Sequence, residues 1–473
     1  MRRHTLALAA LLCVFALVAP EVATAHGLGG IRDLPVPGWL FLVGGGTVLV
    51  VSFLALGVLW HEPRLHVNAG AAAPAWLQRV ALSRVLRLLL RLVSLGVFLL
   101  VWSAAAFGTE RASQNLAPTF VYVVFWVGMA VTVVLLGNVW AVLDPWRTVA
   151  DAAAWAIGRL GYRREPRAYP RELGIWPAAG LLLMFTTLEL VYHDPANPRV
   201  LAVAIFVYSA LTWSGMALFG RRVWARNGDG FAVYFDFLSR VSLFGTRERE
   251  GRTEVAIRQP LSKLAEIERR PGVVAFFAIM LGTVAFDGVS RSSWWLDRTY
   301  DIQTSFADPE TADRVVMLVN LTALVTAVLF VAGVYTAAVK VAERVIGGGV
   351  SLAGVFVFSL VPIAFVYALS HYFSLLVVQG QFAIPLVSDP FGRGWNVLGT
   401  DGFEPKLDVL SPNMTWYVQV AALVLGHVAA LVVAHDRAVA NAPTPSVALR
   451  TQYAMLALMI LYTVGGMWLL SIG

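Results

Sequence analysis

The chain has very little of two residue classes, cysteine and charged side chains. Cys13 is the one cysteine among 473 residues, which excludes a disulfide within the chain and a metal site built from several thiolates. Charged residues make up 14%, against roughly 25% in soluble domains, while 58% of residues are hydrophobic and the mean hydropathy is +0.70. These values exclude a soluble globular domain, a disordered chain and a small secreted domain held by disulfides. P-loop, Rossmann and His-Glu-x-x-His patterns are also absent from the sequence.

Residues 1–25 are predicted to be a secretory signal peptide. A basic start precedes an apolar run from Leu6 to Pro20, and Ala23-Thr24-Ala25 forms a small-residue cleavage site. Cleavage after Ala25 would remove Cys13 and make His26 the first residue of the mature protein. The alternative is an uncleaved anchor over residues 5–20, although that run is short for a membrane span.

Ten apolar runs follow, each of about 20 residues. At 1.5 Å rise per residue, this length crosses a hydrocarbon core of roughly 30 Å. Backbone groups in lipid must find their hydrogen bonds within the segment, so we expect helices. Residues 26–473 are therefore predicted to form a single integral membrane domain, an all-α polytopic transmembrane helix bundle. The predicted spans are 38–60, 90–108, 118–142, 174–193, 199–219, 272–290, 314–338, 350–372, 414–435 and 452–472.

The distribution of Arg and Lys predicts the orientation of the spans. Alternate connectors hold 26 of these residues, and the opposite set holds 8. Basic loops stay in the cytoplasm, so both termini are predicted to lie outside, in the inner (plasma) membrane of a bacterium. The net charge of +7 is then an orientation signal, and we expect membrane lipid rather than nucleic acid as the partner. The 220–271 connector is expected to lie along the inner interface.

Several ionisable residues fall inside the predicted spans, where burial in lipid makes them candidates for function. Glu189 and His193 are four residues apart, which predicts one shared helix face, and Asp287 lies near the outer end of its span. His371 ends the eighth predicted span and His427 lies in the middle of the ninth. We expect these residues to meet in one pocket open to the outer face. The alternatives are hydrogen bonds between helices for Glu189, and helix-end or interfacial positions for His193 and His371.

A mature N-terminal His26 would offer its α-amine and its imidazole as a bidentate chelate. Nitrogen ligands in a planar arrangement favour Cu(II), and the glycines that follow His26 permit a tight turn. We therefore predict that His26, His193, His371 and His427 bind copper or another divalent metal, with Glu189 or Asp287 as the catalytic base. The alternative is that cleavage merely happens to expose a histidine.

The chain resembles a family of bacterial polytopic membrane proteins labelled fenitrothion hydrolase, which are organophosphate-triester hydrolases. The resemblance covers nearly the whole mature chain. It rests on His26-Gly27-Leu28, Asp33-Leu34-Pro35, Gly137-Asn138-Val139-Trp140, Pro145-Trp146-Arg147, Leu190-Val191-Tyr192, Asp194-Pro195, His371-Tyr372-Phe373-Ser374, Gln379-Gly380-Gln381, the segment from Ser388 to Gly394 and Ala434-His435-Asp436-Arg437. Asp144 departs from the asparagine expected at its position in that family.

The resemblance implies a hydrolase of phosphotriesters, a small-molecule substrate and a site at the outer face. A metal there would polarise the phosphoryl oxygen and lower the pKa of bound water. A second interpretation is a membrane copper-binding protein or transporter that uses the same outer histidines. A third is a b-type haem held between His371 and His427. The sequence leaves open whether the protein is an enzyme.

Overall fold

A computed structural model describes residues 38–66, 70–161, 165–249, 251–347 and 351–472. The predicted signal peptide, its cleavage site and His26 lie outside these ranges.

Ten helices in the described part of the chain are long and apolar enough to cross a membrane. This confirms the predicted all-α bundle of a multi-pass membrane protein. The orientation stays a prediction. We use the name "predicted outer side" for the side of the membrane on which the fourth, sixth and eighth of these helices end. The ten helices are α1 (Gly38–Leu59), α2 (Arg84–Phe107), α3 (Leu116–Leu136), α4 (Trp176–Leu190), α5 (Pro198–Phe219), α6 (Val273–Ser290), α7 (Pro309–Ile346), α8 (Ala353–Ser388), α9 (Pro412–Asn441) and α10 (Tyr453–Ile472).

Helix α3 is shorter than the predicted span 118–142 and is irregular. Its middle, Phe120–Gly128, has the wide turns of a π-helix. The helix ends at Leu136 because Gly137 follows with φ 85° and ψ −172°, a conformation that is essentially restricted to glycine. The chain then resumes as Trp140–Leu143 and as an amphipathic helix, Pro145–Arg159.

The expectation that the 220–271 connector lies along the inner interface is wrong for its aromatic part. The helix Gly230–Ser239 is inserted into the bundle, and Phe235 and Phe237 are fully buried. The Tyr234 ring stacks on that of Trp126 in α3, with 4.7 Å between centroids. Helix α4 packs against this short helix and against α6. Aromatic side chains suit an interface and a core equally well, so only the tertiary contacts decide between them.

The connectors also contain a small antiparallel sheet, and the prediction of an all-α fold did not include this sheet. Its strands are β1 (Gly70–Ala72), β2 (Phe244–Arg249) and β3 (Arg252–Arg258), in the order β1-β3-β2. All three belong to connectors on the predicted inner side, so the sheet ties two of those connectors together.

Candidate functional site

Four side chains from three helices meet near the predicted outer side. The hydroxyl of Tyr372 in α8 lies 3.0 Å from Oδ2 of Asp287 in α6 and 3.2 Å from Oε1 of Glu189 in α4. Nε2 of His371 lies 2.6 Å from the same Oδ2 of Asp287. Tyr372 is 5% and Asp287 2% exposed, so the group lies inside the protein. We call these four residues the outer polar cluster.

Arg291 connects the cluster to the surface. Its Nε donates to Oδ1 of Asp287 at 2.8 Å, and its own side chain is 61% exposed. Burial opposes its charge, but the Asp287 carboxylate outweighs that effect and raises the pKa of Arg291 above its ordinary value. The guanidinium therefore stays charged and partly neutralises a buried carboxylate.

Local sequence explains why Glu189 and Asp287 lie near helix ends. His371 and Tyr372 lie in the middle of α8 instead, so the prediction that His371 ends the eighth span is wrong. Helix α4 ends at Leu190, and Pro195 then excludes a helical conformation for Asp194 before it. Helix α6 ends at Ser290, where Ser292 caps the next helix by accepting from the amide of Trp295. Since α6 packs against both α4 and α8, the ends of α4 and α6 meet the middle of α8.

The structure does not bring His193 into the cluster. Because α4 ends at Leu190, the predicted shared face with Glu189 is wrong: the intervening chain turns away and His193 is exposed. Its ring contacts that of Tyr192, with 4.4 Å between centroids.

His427 lies fully buried in α9 and is also separate from the cluster's hydrogen bonds. Its Nδ1 lies 2.8 Å from the carbonyl oxygen of Leu423, one turn earlier. Its ring meets that of Tyr367 edge to face at 5.9 Å, and its Nε2 has no hydrogen-bond partner among the described residues. His427 therefore packs in the helix core rather than opening onto the outer face.

Within the described ranges, no three His, Cys, Asp or Glu side chains are grouped so as to hold a metal ion. The three histidines of the predicted metal site that the structure describes are therefore not grouped as metal ligands. The fourth, His26, lies outside the described residues. Glu189, Asp287 and His371 do lie together, but the Tyr372 hydroxyl stands between the two carboxylates.

Two members of the site were not assigned a role from sequence. Arg291 follows Asp287 by four residues on one helix, a spacing at which ion pairs form, so this signal was present. Tyr372 directly follows His371 in the sequence. Nothing in the sequence indicates that its hydroxyl bridges acids from two other helices.

No family model, no curated protein and no solved structure matches this chain.

Proposed function

We propose that this protein is a hydrolase of uncharged phosphotriesters in the bacterial plasma membrane, acting at the predicted outer side. The observation that carries the proposal is the contact between His371 and Asp287, with 2.6 Å between Nε2 and Oδ2. A buried carboxylate at this distance stabilises the imidazolium that forms when the ring accepts a proton. The resemblance to organophosphate hydrolases suggests the substrate class.

In this mechanism His371 accepts a proton from water while the water oxygen attacks phosphorus. The bond from phosphorus to the leaving aryl or alkyl oxygen breaks, which yields a phosphodiester and an alcohol or phenol. Negative charge grows on the phosphoryl oxygen, and the exposed Arg291 guanidinium is suited to stabilise it. His371 then gives its proton to the leaving oxygen, which completes the alcohol or phenol, and the new phosphodiester loses its own proton to solvent.

The geometry favours His371 over Glu189 and Asp287 as the base. Both oxygens of Asp287 already contact Arg291, Tyr372 or His371, so the carboxylate is better suited to position the imidazole. Glu189 contacts Tyr372 and holds the phenol in place. We assign Glu189 and Asp287 positioning roles in this proposal.

Metal assistance remains part of the proposal. Among the described residues, Glu189, Asp287 and His371 are not grouped as a metal site, because the Tyr372 hydroxyl lies between the two carboxylates. They would hold a divalent ion only after that hydroxyl moved, and His371 would then be a ligand rather than the base. Such an ion would act as a Lewis acid on the phosphoryl oxygen.

A copper-binding or transporting protein is the second candidate. It rests on the exposed position of His193 at the same side as the predicted mature N-terminus, His26. N-terminal sequencing and metal analysis of the mature protein test it. Loss of copper from both His26→Ala and His193→Asn would support this candidate, and copper retained in both would contradict it.

Hydrolysis of diethyl 4-nitrophenyl phosphate by protein in lipid nanodiscs tests the hydrolase. Removing a general base lowers such rates by about a hundredfold or more, so we expect this loss in His371→Asn. His61→Asn is the matched control, because His61 is an exposed histidine in the predicted inner connector after α1. Equal release of nitrophenolate by wild type and His371→Asn would contradict the proposal.

A further inference from the structure

A cavity of about 640 Å³ lies between α2, α3, α4 and α5, and Phe231 of the inserted helix also lines it. Among the described residues, no member of the outer polar cluster lines it, and neither does Arg291. Its volume falls in the range of sites that hold small organic ligands. It is therefore a separate candidate binding site.

The cavity wall is rich in aromatic rings. Nine of its 26 lining side chains are Phe, Tyr or Trp, about three times the share of aromatics in the whole chain. The π-helical segment of α3 contributes Phe120 and Phe125, and such segments are frequent at functional sites. Aromatic walls offer edge and face contacts to a planar ring, which a flexible acyl chain cannot use.

The cavity opens toward lipid. Helix α4 packs against α6 and the inserted helix, whereas α5 packs against α2, so a cleft remains between α4 and α5. Met184, Val203 and Val207 line the cavity and are 39%, 63% and 40% exposed. Because these exposed side chains are apolar and belong to membrane spans, a ligand would enter from the bilayer.

Three buried polar groups of the wall are not available to a ligand. Nε1 of Trp140 is enclosed by protein atoms and has no hydrogen-bond partner within the described part of the chain. Trp146 donates to Ser209 at 2.8 Å, and Tyr208 donates to Asp229 at 2.7 Å. The wall therefore offers mainly apolar contacts to a ligand.

We propose that this cavity binds an uncharged planar aromatic lipophile that enters from the bilayer between α4 and α5. The aromatic rings of the wall contact the planar ring of the ligand. The site and its test are independent of the proposed hydrolase activity.

Menadione, a planar uncharged quinone, is a suitable probe for full-length protein in lipid nanodiscs. Binding is measured by equilibrium dialysis, with protein-free nanodiscs to subtract partition into lipid. Ala204→Trp fills the cavity, and we expect binding to weaken by at least about tenfold. Ala210→Trp is the control, because Ala210 is an exposed residue of α5 outside the lining.

Val207→Trp narrows the cavity one helical turn after Ala204, so we expect about threefold to tenfold weaker binding. If circular dichroism shows that Ala204→Trp does not fold, binding to this second variant tests the proposal. Wild-type affinity in both variants would overturn the proposal. A second result would also overturn it. If menadione does not bind, and mass spectrometry detects a phospholipid in wild type but not in Ala204→Trp, the occupant of the cavity is an acyl chain.

Discussion

Replacing Asp287 by Asn tests whether the outer polar cluster holds α4, α6 and α8 together. The variant keeps the shape of a side chain that is 2% exposed and removes its charge. Oδ2 loses its charge as the acceptor of the Tyr372 hydrogen bond, at 3.0 Å, and as the partner of His371 in an ion pair, at 2.6 Å. Hydrogen bonds to charged groups contribute about 1.5–3 kcal/mol each, and the exposed Arg291 can turn to water. We expect the free energy of unfolding to fall by about 2–3 kcal/mol.

The assay is unfolding by sodium dodecyl sulfate in mixed micelles, followed by far-ultraviolet circular dichroism. Asp301→Asn is the matched control, because its side chain is 68% exposed and pairs with Arg298 at 3.7 Å. Exposed pairs contribute about 0–1 kcal/mol, so this variant should stay close to wild type. If both variants lose the same amount of stability, the cluster does not stabilise the packing of these helices and the reasoning is refuted.

Three further predictions concern the connectors. Reporter fusions at Gly251 and Asp401 should report cytoplasm and periplasm, respectively, and one compartment for both would contradict the charge-based orientation. Gly137→Ala should lower stability by about 1–3 kcal/mol, because φ is 85° and a Cβ would lie 2.8 Å from a carbonyl oxygen; Gly44→Ala, with open space around it, should not. Burial and the charge of a neighbouring acid raise the pKa of Asp144 above its ordinary value, so its stabilisation is complete below about pH 4 and is lost as pH rises through the raised value. Unfolding measured between about pH 4 and 8 should show that loss in wild type and not in Asp144→Asn.

The ten spans could be predicted from sequence because each depends on a local property, the length of an apolar run. The sequence also made it possible to predict that Glu189, Asp287 and His371 lie close together. The alternation of the predicted spans places Glu189, Asp287 and His371 on one side of the membrane, and the energetic penalty of ionisable groups in lipid favours their contact with each other.

Other features depend on contacts between residues far apart in the chain, and only the tertiary structure decided them. The four-residue spacing predicts one helix face for Glu189 and His193, yet the helix ends between them. The Gly230–Ser239 helix is buried because α3 and α4 leave space that its aromatic rings fill. Tyr372 joins acids from two other helices, and the aromatic cavity exists because α5 packs on α2 rather than on α4. Hydropathy determines which segments enter the membrane, whereas side-chain packing determines which of them touch, because lipid solvates every apolar helix face almost equally well.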